Sequence, residues 1–541
     1  MNGDRFMTRM PYINSLTTMD YIVGISLMLL LIEGSRRAIN NAFTIIVVLF
    51  LVYAVFGGPL PGILRHSGQD ITTLLETQVF TTSGIFTSPI SVSARMVFYF
   101  LLFGAFLVAT PAGKLFVNIS TALTRKSRGG SAKASVVAAA LFGMISGSAP
   151  ANVASIGTIM YPGMKDDKFD HIFSGSMLAI EGTAGQLIPP VMGAAAFIMV
   201  DMTGSSYAEV MMAAILPSIV FMVALYMMIH LYALKHGIQP RNEDITQIKK
   251  DILKHFHLLL SIVVLVGMIL MGFSIMRSAA FASAMLFLIS LIRKDTRLNL
   301  FKLLDVFEKT ARSALVVTMP CALAGMIIGV IVGTGLGMRF SSLINSLAQH
   351  NLLIALVATM LMALVLGMGM PTSAAYIMAA TLLAPSIVAL GVPLLVAHFF
   401  VFYFSILSML TPPVALSSYA AAGIVDADMW KLGLHAFKYS LVIFAIPYIF
   451  IYNPALLGYG SFLETIFVLF IAIMGAMAMS IAITGFGFVR TTKFENVILV
   501  VVAILVIAPQ LIATAVSVGA FAFVMVKQLA RKKLLDKTEV I

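Results

Sequence analysis

The sequence predicts an all-α polytopic membrane protein made of two inverted repeats, each with a re-entrant hairpin and a broken helix. Three observations predict it. Of the 541 residues, 60% are hydrophobic and only 11% charged, with a mean hydropathy of +1.01, whereas soluble domains average about a quarter charged. Gly and Pro interrupt long apolar stretches, although in a helix interior they cost ~1 and ~3 kcal/mol respectively. These interruptions also recur at a constant spacing along the chain.

In chain order, 21–32 and 39–56 are the first spans, separated by the basic pair Arg36 and Arg37. The mixed stretch 67–93 reads as an interfacial helix or arm, and 96–109 as the next span. Lys114, Arg125, Lys126 and Arg128 then mark a cytoplasmic segment, as the positive-inside rule requires. Basic loops flank 134–163 on both sides, and Gly143, Gly147, Ser148, Pro150 and Asn152 break it at its centre. Same-side flanks suggest a re-entrant hairpin with its tip at 147–152; a continuous span is the alternative.

A span over 173–200 contains Glu181-Gly-Thr-Ala-Gly-Gln-Leu-Ile-Pro-Pro190. Then come a span at 207–234, a polar loop at 236–255, and spans at 256–273 and 279–292. An interfacial amphipathic segment at 303–312 leads into a span at 314–335. The stretch 352–390 is the second punctuated segment, centred on Gly367-Met-Gly-Met-Pro-Thr-Ser-Ala-Ala375, and 398–422 breaks at Thr411-Pro412-Pro413. Apolar stretches 434–451, 466–483 and 497–526 follow. Pro509 and the basic run Arg531-Lys532-Lys533 make the last of these a pair of short helices.

Composition also excludes several functions. The net charge of +12 comes mostly from short loops and the C-terminus, so it implies a bilayer rather than a nucleic acid. The single cysteine, Cys321, rules out a disulfide framework or a Cys-based metal site. There is no HExxH, GxSxG or Walker loop, so no catalytic set and no bound cofactor is expected. Energy would come from a gradient or from another chain.

Placing Pro189-Pro190 on Pro412-Pro413 sets an offset of 223, and at that offset Thr158 meets Thr381, Pro162 meets Pro385 and Val191 meets Val414. The tip Gly147-Ser148-Ala149-Pro150 falls on Met370-Pro371-Thr372-Ser373. Counting spans puts the two hairpins on opposite membrane faces. Repeats of opposite orientation are the mark of alternating-access transporters, whose broken helices hold the site. Half-helix N-termini offer free N–H groups and partial positive charge to an anion, and unwound carbonyls can hold a cation. The pattern thus points to an anionic solute coupled to Na⁺ or H⁺.

The motifs carry a resemblance. Gly367-Met-Gly-Met-Pro-Thr-Ser-Ala-Ala-Tyr376, Ala397-His-Phe-Phe-Val-Phe-Tyr-Phe404 and Thr411-Pro-Pro-Val-Ala-Leu416 resemble the TAXI branch of the TRAP (tripartite ATP-independent periplasmic) transporter permeases. Gly147-Ser148 with Asn152-Val-Ala-Ser155, and Gln186-Leu-Ile-Pro-Pro-Val-Met-Gly-Ala-Ala-Ala-Phe197, resemble the first half of that pattern. The resemblance covers roughly 20–530. It implies a large subunit in a bacterial or archaeal inner membrane that works as an elevator. It also implies import of a dicarboxylate, 2-oxo acid or amino acid, delivered by a TAXI-type periplasmic binding protein.

The region 21–56, with Ile32-Glu-Gly-Ser-Arg-Arg37, resembles only the last two of the four helices of a fused small subunit, which leaves three alternatives: a truncated start, a small membrane subunit that supplies the missing helices, or a genuinely short N-terminus. The expected divisions are 1–66 (these helices), 67–133 (arm and scaffold), 134–204 (first hairpin and broken helix), 205–351 (scaffold), 352–426 (second hairpin and broken helix) and 427–541 (C-terminal helices).

For a first ion site the candidates are Gly147, Ser148, Asn152, Thr183, Gly185 and Gln186; for a second, Gly367, Gly369, Thr372, Ser373, Ser408 and Thr411. Hard cations want oxygen ligands, and these segments offer hydroxyls, amides and unwound carbonyls. Ser148, Ala149, Pro190, Pro371, Thr372 and Pro413 are candidates for touching the solute. The structural alternative is that the breaks only let helices pack closely. Glu181, a carboxylate inside an apolar span, is a candidate for proton or cation coupling, and so is His398; the alternatives are a structural contact for Glu181 and an interfacial place for His398. Arg277 and Arg312 could meet a carboxylate, although snorkelling explains both. A stand-alone sodium-coupled dicarboxylate symporter and a membrane-embedded enzyme or assembly factor are the competing readings.

Overall fold

The computed structural model describes residues 5, 8–39, 41–241, 246–348 and 351–538. They are helical almost throughout; the only bridge among them pairs Phe486 with Arg490. Eight helices among the described residues are long and apolar enough to cross a membrane. The protein is an all-α polytopic membrane protein.

Several boundaries differ from the sequence expectation. The span expected at 96–109 begins at Ser88, because a π-helical turn at Ser93–Val97 keeps the chain helical from Ser88 to Ala109. The segment 303–312 is not a separate interfacial piece: Leu300–Thr334 is one helix of 35 residues, and its polar first third is simply exposed. The loop expected at 236–255 ends in the helix Thr246–His255, which continues through a 3₁₀ turn into Leu260–Leu270. At the C-terminus two helices form, Lys493–Leu505 and Leu511–Thr538, broken around Pro509. The second is not short; it is long enough to span.

The 223-residue offset extends to whole elements. It carries His171–Ala184 onto the bounds of Leu394–Leu407, and Ala149–Asp166 onto Thr372–Val388 within one residue. Both Pro-Pro bonds, Pro189-Pro190 and Pro412-Pro413, are cis. The 134–163 stretch is a hairpin of Gly130–Ser146 and Ala149–Asp166 rather than one span. Its counterpart is Leu352–Gly367 with Thr372–Val388. At 1.5 Å per residue these arms of 16 to 18 residues are about 24–27 Å long, short of the ~30 Å hydrocarbon core.

The chain forms two compact units. The first comprises Met1–Leu102, Ala194–Ser205 and Leu304–Ser408. In it the second hairpin and Leu394–Leu407 pack with Ala194–Thr203, the half-helix that follows the first Pro-Pro break. The second comprises Phe103–Gly193, Ser206–Leu303 and Met409–Ile541. There the first hairpin and His171–Ala184 pack with Leu416–Val425, the half-helix that follows the second break. Each unit therefore contains a hairpin from one repeat and a half-helix from the other. Small residues make the second contact possible: a Cβ at Gly157 would lie 2.7 Å from Ile424 Cδ1, and one at Gly175 2.8 Å from Val425 Cγ2.

Candidate functional site

The first hairpin turns where Gly147 adopts φ +58°, a left-handed conformation that costs a residue without Cβ little. Ser148 is extended and exposed, and its side chain does not cap the next helix. Ala149, which is buried, opens that helix, with Pro150 in its first turn, where proline's missing N–H is no loss. The first-turn amides are left without a side-chain cap at the tip.

Across from it, every residue of His171–Ala184 after His171 is buried, so its last carbonyls need partners within the protein. The Gly185 amide donates to Glu181 O, Gln186 to Thr183 O and Leu187 to Ala184 O. The Gly182 carbonyl takes the Asn152 side-chain amide at 3.2 Å. In return, the Gln186 side-chain amide donates to Gly147 O at 3.1 Å, and the Gly193 amide to Gln186 O at 3.0 Å. Gly143 and Gly185 let the two backbones meet: a Cβ at Gly143 would fall 2.3 Å from Gly185 Cα. Four of the six first-site candidates, Gly147, Asn152, Gly185 and Gln186, are thus brought into one cluster. Thr183 is adjacent, but its hydroxyl donates to Ala179 O at 2.8 Å in its own helix.

Two buried oxygens in this region have no hydrogen-bond partner, Asn152 Oδ1 and Glu181 Oε2. Glu181 is fully buried, and its other oxygen lies 3.0 Å from the Ser135 hydroxyl on the first arm of the hairpin. That hydroxyl is also 2.7 Å from Ala132 O; with one hydrogen it donates to one acceptor at a time. Ser135 had no signal in the sequence, since a serine in an Ala-rich helix has no distinctive pattern. Pro190 O accepts from the Tyr207 hydroxyl at 2.7 Å.

In the second hairpin the tip is Met368–Pro371 with Gly369 at φ +73°. Pro371 precedes the helix and Thr372 and Ser373, both buried, begin it. Ser373 hydrogen-bonds the Cys321 thiol. A Cβ at Gly367 would lie 2.4 Å from Ser408 Oγ, so the end of the first arm touches the end of Leu394–Leu407, the same meeting that Gly143 and Gly185 make. The Ser408 hydroxyl donates to Ser405 O at 2.7 Å. Thr411 and Pro413 belong to the second unit, where Thr411 is buried and the Tyr419 hydroxyl donates to Pro413 O.

His398 is buried in the protein: it is 4% exposed, and its Nδ1 lies 2.7 Å from the Tyr376 hydroxyl on the second hairpin. Tyr376, fully buried, is a partner the sequence did not identify, although it closes the motif that starts at Gly367. Arg277 sits over the rings of Phe273 and Phe281, and Arg312 pairs with Glu308 at 2.9 Å on an exposed helix face. No group of three His, Cys, Asp or Glu side chains among the described residues could hold a metal ion.

Residues 25–465 match the family described as tripartite ATP-independent periplasmic transporter, DctM component. The chain is 28% identical over 376 residues to the C4-dicarboxylate TRAP transporter large permease protein DctM of Rhodobacter capsulatus, covering 66% of this chain and 84% of that one. It is 24% identical over 348 residues to the sialic acid TRAP transporter large permease protein SiaM of Vibrio cholerae, covering 62% and 78%. It is also 24% identical over 376 residues to the isethionate TRAP transporter permease protein DctMQ of Oleidesulfovibrio alaskensis, covering 69% and 58%.

Proposed function

The chain belongs to the DctM family of TRAP transporter large permeases, a family of multi-pass inner-membrane transporters and not of enzymes, and from that premise we propose that it imports a small organic anion driven by an ion gradient. The relatives are named for a C4-dicarboxylate, sialic acid and isethionate, all anionic at neutral pH. The observation that carries the reading is the repeated pair of hairpin tips. Each begins its second helix without a side-chain cap and meets a helix that ends at a Gly- or Ser-lined close contact. Uncapped helix N-termini suit an anion, and buried oxygens such as Asn152 Oδ1 suit a Na⁺ ligand set.

In this reading 134–204 and 352–426 form the moving part of an elevator, and the remaining helices form its scaffold. The first candidate cluster binds a coupling ion in the second unit, and Gly367, Gly369, Thr372, Ser373 and Ser408 bind one in the first; Ser148, Ala149, Pro190 and Pro413 of the second unit contact the solute. Glu181 and His398 are the places where a proton would substitute for Na⁺. A TAXI-type periplasmic binding protein delivers the solute, and a small membrane subunit completes the assembly.

Uptake into proteoliposomes tests this. Accumulation that needs both an inward ion gradient and the binding protein supports it. Gradient-driven uptake with no binding protein would instead establish the stand-alone symporter.

A further inference from the structure

At the base of the first hairpin is a cavity of about 160 Å³ that no part of the transport reading uses. Arg125, the residue after the helix Ala112–Thr124, lines it along with Ser131, Ala134, Ile159, Asp167 and Arg241. The Nε and Nη1 atoms of Arg125 are buried and have no hydrogen-bond partner. Leaving guanidinium donors inside a protein without an acceptor is costly, so unpaired Arg125 donors beside a cavity point to a ligand.

The nearby carboxylate does not supply the acceptor. Asp167 Oδ1 is held by Arg241 Nε at 2.8 Å, and Oδ2 takes the Ser131 amide at 3.3 Å and the Ser131 hydroxyl. Asp166 lies 3.5 Å from Arg241 Nη2. The surrounding chain adds Lys126, Arg128, Lys165 and Lys168, a basic margin of the kind that attracts anionic leaflets. One wall is apolar, formed by Val117, Ala134, Ile159 and Met160, and Ile159 is 49% exposed.

We propose that this cavity binds a phosphate group through the unpaired guanidinium of Arg125, with Ile159 beside the exit. A guanidinium fork matches phosphate geometry in two parallel bonds. The group comes either from an anionic phospholipid headgroup, whose acyl chains the apolar wall accommodates, or from free inorganic phosphate.

The test is a thermal-shift titration of the purified full-length chain in detergent, with short-chain phosphatidylglycerol and with inorganic phosphate as separate probes. Stabilisation by phosphatidylglycerol alone assigns a lipid headgroup, and stabilisation by both assigns the phosphate group itself. Arg125→Gln is expected to weaken the effective affinity by about tenfold or more, the loss of a charge-assisted pair of bonds. Should Arg125→Gln aggregate, Ala134→Leu fills the cavity while keeping the charge, and the same loss is expected. No response to either probe in the wild type, or an unchanged response in both variants, overturns the proposal.

Discussion

The Gln186 side-chain amide donates to the Gly147 carbonyl at 3.1 Å, tying the first Pro-Pro break to the hairpin tip 39 residues earlier in the chain. Gln186→Ala removes the tie and leaves a tip carbonyl to find another donor, a loss of roughly 1–3 kcal/mol. The expected result is folded protein with about tenfold weaker dependence on the coupling ion, read from ion titrations of uptake. An unchanged titration curve would remove Gln186 and Gly147 from the ion site.

Glu181→Gln keeps the shape of the side chain and a partner for Ser135, but it cannot carry a proton. If Glu181 couples a proton, uptake driven by a pH gradient falls by at least tenfold, while exchange of internal for external solute continues. Equal loss of both activities would mean that Glu181 is only structural.

Tyr376→Phe deletes the hydroxyl 2.7 Å from His398 Nδ1 and strands a buried ring nitrogen. A loss of ~1–3 kcal/mol, seen as a lower melting temperature, is expected. A melting temperature equal to wild type would show that the pair contributes no net stability.

Glycine substitutions separate packing from flexibility. At Gly182 a Cβ would lie 2.3 Å from Val153 Cγ2 and 2.9 Å from the Val153 amide nitrogen, and at Gly185 it would lie 2.7 Å from Gly143 Cα. Gly→Ala at either position should cost ~1–3 kcal/mol and abolish most transport. Gly267 has nothing within 4 Å of a new Cβ, so Gly267→Ala should stabilise its helix by ~0.5–1 kcal/mol. Melting temperatures of the three variants compare the effects directly.

Asp295, in the loop after Ile275–Ser290, is bonded by Lys254 at 2.8 Å and by His255 at 2.9 Å. Those two partners hold its carboxyl well below the usual carboxylate range. A depressed folded-state value means that the contribution is present above the unfolded value, near pH 4, and is lost as pH falls through the lower folded value. Asp295→Asn should therefore lower the melting temperature slightly at pH 7, and the gap to wild type should close in strong acid. A gap that stayed constant with pH would assign the effect to packing.

The sequence by itself determined the repeat, the hairpins and the breaks, because these rest on local chemistry: Gly and Pro weaken a helix interior, and their spacing recurs at 223 residues. It also placed the chain in its family and marked most of the residues that meet around Gly147 and Gln186. Only the tertiary structure decided that Glu181 meets Ser135, that His398 is buried against Tyr376, and that each unit takes a half-helix from the other repeat. It also decided that Arg125 lacks an acceptor. Burial and hydrogen-bond partners depend on which helices pack together, and helices far apart along the chain supply them, so no local pattern of residue types records the outcome.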